Sequence, residues 1–187
     1  LMLSGFGGAA VSAQSTATAT GEVQNLVGGI VEFKKAETGA DSIQKWIDKS
    51  LAPNAGMTSE GYIMALSQTG ETYNFSAYER ALKAYLGENT SADATNRQKY
   101  ALALVASGRA NDDYVTAAIR ETIGQQGIMS WIFGLHLINN GLVGSYTADA
   151  VVDEIILLRL SDGGWALYGE NADIDVTAMA IQALAPF

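Results

Sequence analysis

His136 is the only imidazole among the 187 residues, and the chain contains no cysteine. Together these exclude structural disulfides, thiolate zinc sites, iron–sulfur ligation, cysteine nucleophiles and any site that needs two imidazoles from one chain. A Ser-His-Asp triad would have to use His136 itself. That residue stands between Leu135 and Leu137 in an apolar run, where a core histidine bonded to a carbonyl is the expected reading. Carboxylates are plentiful, with 20 Asp and Glu. A glycosidase needs two of them at a defined separation, and no pair here carries a recognisable spacing. The remaining candidates lie near the C-terminus. Asp162-Gly163-Gly164 can form a tight turn, because glycine accepts positive φ. Trp165 can fold back from it as an apolar wedge, and Asp173 or Asp175 can cap the helix that follows.

The formal net charge is -9 and the sequence pI is about 4.4. Such a surface repels phosphate backbones and anionic membranes, so no nucleic-acid partner is expected. Leu1–Ala13 is apolar and small and ends in Val11-Ser12-Ala13, a small-x-small cleavage pattern. Residues 1–13 are therefore expected to be the remainder of a signal peptide. Residues 14–21, rich in Ser, Thr and Ala, are expected to be a flexible spacer, and residues 22–187 a repeat domain. A secreted or cell-surface location in a bacterium follows as an expectation. No transmembrane span is expected in the mature chain.

The elements that must position any site are helices. Apolar residues recur at helical spacing in Val23–Val31, Ile43–Leu51, Tyr62–Leu66, Tyr78–Leu86, Tyr100–Leu104, Val115–Ile123, Trp131–Ile138 and Val176–Leu184. No period-two alternation of useful length competes. The expected starts form two interleaved series. Asp41, Phe75, Asp112 and Thr147 open one, and Ser59, Ala92, Ser130 and Asp175 open the other. Each repeats at roughly 35 to 45 residues, the size of a helical hairpin unit. Such units cannot bury their apolar faces alone and must stack. Trp131, Ile132, Phe133, Leu135, Leu137 and Ile138 leave almost no polar face, so that helix must be surrounded by others. Two layers, an inner and an outer helix per hairpin, would explain the contrast, and so would a bent solenoid.

Arg159-Leu160-Ser161-Asp162-Gly163-Gly164-Trp165 followed by Asp173-Ile174-Asp175-Val176-Thr177-Ala178 resembles the repeat of squalene cyclases and protein prenyltransferases. The resemblance is closest to bacterial cell-surface proteins that carry this repeat without known catalysis. Gly124–Trp131 and Arg97–Leu104 look similar to the same proteins. The resemblance implies an all-α fold, an α-α toroid of helical hairpins. The hairpins found would leave that barrel open and incomplete, with further sequence after Phe187 or a pairing partner expected to close it. It also implies a central cavity lined by Trp131, Phe133, Trp165 and Tyr168, with Asp173 and Asp175 at its rim. The expected function is capture of a small ligand or surface partner, without catalysis and without a cofactor. Cobalamin enters by analogy alone, since carriers related to intrinsic factor share the barrel.

The alternatives are a class II terpene cyclase and an architectural scaffold. A cyclase would use Asp173 and Asp175 to protonate an alkene, which needs an acid kept protonated by burial and a neighbouring carboxylate. Here Val176 replaces the family's third acid and Arg159 replaces its glutamine. The zinc site of the prenyltransferases fails for want of cysteine.

Overall fold

A computed structural model describes residues 12–187, and all their regular structure is helical. Leu1–Val11, which hold most of the expected signal peptide, lie outside the described residues. The chain divides into two compact units at Trp46 and Ile47. No helix among the described residues is long and apolar enough to cross a membrane.

The first unit contains α1 (Ser12–Glu37) and α2 (Ile43–Trp46). Helix α1 runs through 14–21, the stretch expected as a spacer, and continues through Gly28 and Gly29. Its last turns carry Lys35–Glu32 and Lys34–Glu37 pairs at 2.6 and 2.8 Å, worth a few tenths of a kcal/mol each on an exposed helix (about 0.2–0.5). At α2, Ser42 does the capping expected of Asp41. Its Oγ accepts the Lys45 amide, while Asp41 pairs with the Lys45 ammonium.

The second unit opens on a π-helical turn, Ile47–Leu51, and a 3-10 turn, Ala52–Asn54, with Pro53 near its start. Seven α-helices follow: α3 (Glu60–Ser67), α4 (Ser76–Glu88), α5 (Ala94–Ala106), α6 (Asp113–Glu121), α7 (Gly127–Asn139), α8 (Ala148–Leu157) and α9 (Ile174–Leu184). The second series of starts builds one row, in which α3 packs on α5, α5 on α7 and α7 on α9. The first series lies beside that row. Helix α6 packs on α5, α8 on α7, and α4 on the two opening turns.

Burial follows this layering. Helix α5 buries Tyr100, Ala101, Leu102, Ala103 and Leu104 in succession, as a helix with neighbours on several sides must. Helix α6 buries the single stripe Val115, Ala118 and Ile119. The starts have local causes. The side chains of Asp93, Asp112 and Thr147 accept the amides of Asn96, Tyr114 and Ala150, each cap being worth about 1 kcal/mol.

Between α4 and the α5–α6 connection lies a chain of charges. Arg109 Nε is 2.8 Å from Glu79, and Lys83 Nζ is 3.7 Å from Glu79 and 2.7 Å from Asp112. Burial pushes the Asp112 carboxyl upward. The Lys83 hydrogen bond, the Tyr114 amide and the charges of Lys83 and Arg109 outweigh that and hold it below its usual range. A carboxylate depressed in the folded state contributes stability that is present above its unfolded pKa and lost as pH falls through the folded one. Asp112→Asn keeps a capping side chain but loses the charge. Acid titration of its denaturation midpoint should therefore be flatter than wild type below the ordinary carboxylate value of 3.8. Equal slopes would remove Asp112 from the acid response.

Candidate functional site

The row of α3, α5, α7 and α9 presents a broad cleft of about 710 Å³. Its floor is a helical pattern read four times. Gly61, Met64, Ala65 and Gln68 come from α3 and its end, Leu102, Val105 and Ala106 from α5, Phe133, His136 and Asn140 from α7, and Met179 and Gln182 from α9. Spacings of three and four put each set on one face of its helix. The volume suits a small ligand, and the mostly apolar lining with a few polar groups is what such sites use.

The cleft contains no charged side chain. Its polar groups are Ser67, Gln68, His136, Asn140 and Gln182. Ser67 Oγ donates to the Met64 carbonyl at 2.7 Å, and Asn140 Nδ2 donates to the His136 carbonyl at 2.8 Å. His136 is half-buried. Burial alone pushes its ring below the ordinary histidine value of 6.5, so the imidazole is neutral at neutral pH. The expected carbonyl partner of a core histidine is not what surrounds it: the ring borders the cleft.

The six residues expected to form a site do not come together. Phe133 lines the cleft. Trp131, in the first turns of α7, instead packs edge-on against Tyr146, with centroids 5.3 Å apart, and covers Gly124. Tyr168 is 91 % exposed and Trp165 only 5 %. Asp173 and Asp175 are exposed, so the burial that a proton-donating acid requires is missing at both.

The C-terminal motif that carries these residues is instead a closed knot of bonds. Trp165 Nε1 donates to the Ile155 carbonyl of α8 at 2.6 Å. Thr177 Oγ1 accepts the Trp165 amide at 3.0 Å and donates to the Trp165 carbonyl at 3.1 Å. Asp162 accepts the amides of Gly164 and Ala172 at 3.3 and 2.7 Å, and these bonds hold its carboxyl below the usual range, the Ala172 amide most strongly. Asp173 Oδ1 accepts the amides of Asp175 and Val176, capping α9. Gly164 is required by closeness. A Cβ there would sit 2.5 Å from the Ala172 Cβ and 2.6 Å from Thr177 Oγ1.

Reading the sequence for aromatic residues thus found one cleft residue, Phe133, and missed the others. The available signal was the recurrence of small, amide and Met side chains at spacings of three and four along the second series of helices. Compared with known proteins, the chain matches no family model, no curated protein and no solved structure.

Proposed function

We propose that residues 47–187 are an arc of α-α toroid hairpins in an exported or cell-surface protein, and that the inner-row cleft captures a small, partly apolar ligand without transforming it. The single observation that carries this is the cleft itself. Helices α3, α5, α7 and α9 each turn one face into it, and none brings a charged group. The alternation of row and outer helices supports the toroid reading, and the Val11-Ser12-Ala13 pattern supports export. The exposed Asp173 and Asp175 favour no acid catalysis there.

The test uses N-phenyl-1-naphthylamine, an uncharged dye that brightens in apolar surroundings, with the full chain. Saturable brightening at one site is expected. Ala106→Trp, which fills the cleft from α5, should weaken it by roughly tenfold or more, equivalent to about 1.4 kcal/mol. Circular dichroism should show that this variant is folded. Brightening that survives both Ala106→Trp and Phe133→Ala would place binding elsewhere and sink the proposal.

A further inference from the structure

We infer that the cleft selects organic ammonium ions with an apolar body over neutral and anionic molecules of the same shape. This rests on the cleft being a ligand site, as proposed above. The observation behind it is a lining that offers side-chain oxygens as acceptors and brings no cationic group. The Ser67 hydroxyl proton is spent on the Met64 carbonyl, and the Gln68 amide points a donor at Ser67 Oγ, 3.5 Å away. Asn140 spends one of its two amide donors on the His136 carbonyl and keeps its side-chain oxygen as an acceptor. An ammonium group carries three donors for these oxygens, whereas a carboxylate meets only neutral amide and imidazole N–H groups and no cation.

Further features act in the same direction. Gln68 and Asn140 are the C-caps of α3 and α7, and Ala106 is the last residue of α5. The cleft therefore lies at helix C-termini, where the summed peptide dipoles are negative and cations are favoured. No Lys or Arg lines it to oppose a cation, and Phe133 brings an aromatic ring to the lining. The net charge of -9 also raises the local concentration of cations.

His136 makes the selection depend on pH. No titratable side chain from α3, α5 or α9 lines the cleft beside it, and burial is what lowers its ring. Neutral, it is one more acceptor for an ammonium donor. Protonated, it is a like charge at the ligand. Binding of a cation should weaken as pH falls below the ordinary histidine value of 6.5 and the ring takes up its proton.

Calorimetric titration of the full chain with 1-naphthylmethylammonium, 1-naphthylmethanol and 1-naphthylacetate tests this, because the three share one ring body. At about pH 8 the ammonium should bind roughly tenfold tighter than the alcohol, with the acetate weakest. On lowering the pH to about 5, its affinity should fall in the wild type and fall less in His136→Gln. An alcohol or acetate that binds as tightly as the ammonium would overturn the inference and leave the cleft a ligand site. Matching pH profiles for wild type and His136→Gln would overturn the role of the imidazole. If none of the three binds, the inference falls together with the reading beneath it.

Discussion

Replacing Trp165 by alanine is expected to destabilise the second unit by about 3–5 kcal/mol, the range for deleting a large buried aromatic, while leaving dye affinity per folded molecule unchanged. The side chain is 5 % exposed, and its indole N–H meets the Ile155 carbonyl at 2.6 Å. Removing it opens a cavity and leaves a buried carbonyl without its donor. It also loosens the bonds between the Trp165 backbone and Thr177 that tie the α8–α9 connection to α9. Trp165→Phe separates the terms. A six-membered ring remains, while the hydrogen bond and part of the buried bulk are lost, so a smaller cost than for alanine, about 1–3 kcal/mol, is expected. Urea denaturation measures both. A Trp165→Ala protein with wild-type stability but no dye binding would reverse the assignment and make Trp165 a ligand residue after all. The surface ion pairs offer a scale for comparison. Arg97–Glu121 is close, at 2.6 Å, but its carboxylate is largely exposed, and such pairs contribute about 0–1 kcal/mol.

How much of this could be read from residues alone varied with the range of the interaction. Helix existence and the two interleaved series were legible, because burial on one side or on several leaves a pattern within a single helix. Caps were legible to within a few residues, and the misses have local causes. The spacing predicts a start at Ser130, yet α7 begins at Gly127. The Ser130 hydroxyl reaches back to accept the Gln126 amide and donates to the Gly127 carbonyl, so it serves the helix start from inside the first turn. Asp175 was expected to open α9, and Asp173 does so because its oxygen reaches the amides two and three residues on.

The site was much less legible. Large aromatic residues drew attention by size, but burial of an aromatic ring stabilises a core just as well as it lines a cavity. Trp165 went to the core, Trp131 to a contact with Tyr146, and Tyr168 to solvent. A cleft made of Gly61, Ala65, Ala106, Gln68 and Gln182 has no composition to notice. Those residues become a site only when the helices that carry them stand in one row, which is a long-range fact. His136 shows the same limit. Its neighbours Leu135 and Leu137 are fully buried, while the helical turn rotates His136 itself toward the cleft.

The other large effect is expected at Glu60, which no family resemblance or motif singled out. Its side chain is buried at the start of α3, and its Oε1 accepts the Gly56 amide at 2.6 Å and the Tyr78 hydroxyl at 3.1 Å. Tyr100 donates to the Gly56 carbonyl at 2.9 Å and stacks edge-on with Tyr85, 5.8 Å between centroids. Gly56 has φ +84, and a Cβ there would strike the Tyr85 ring 2.2 Å away. One carboxyl thus secures the turn that leads into α3. Glu60→Ala would leave two buried donors unsatisfied. Each such loss costs about 1–3 kcal/mol, so a total near 3 kcal/mol is expected in urea denaturation. Glu60→Gln retains an acceptor for both donors and should cost less than about 1 kcal/mol. The pH response has a definite sign as well. Burial first, and then Glu60, push the Tyr78 hydroxyl well above its usual 10.0. A raised folded-state value gives stability that is present below the unfolded pKa and lost as pH rises beyond it. Glu60→Gln removes the second cause and should blunt that alkaline loss. If Glu60→Ala cost no more than an ordinary surface change, within about 0.5 kcal/mol, the turn would be held by its apolar contacts. The tyrosines would then be packing groups that happen to find partners.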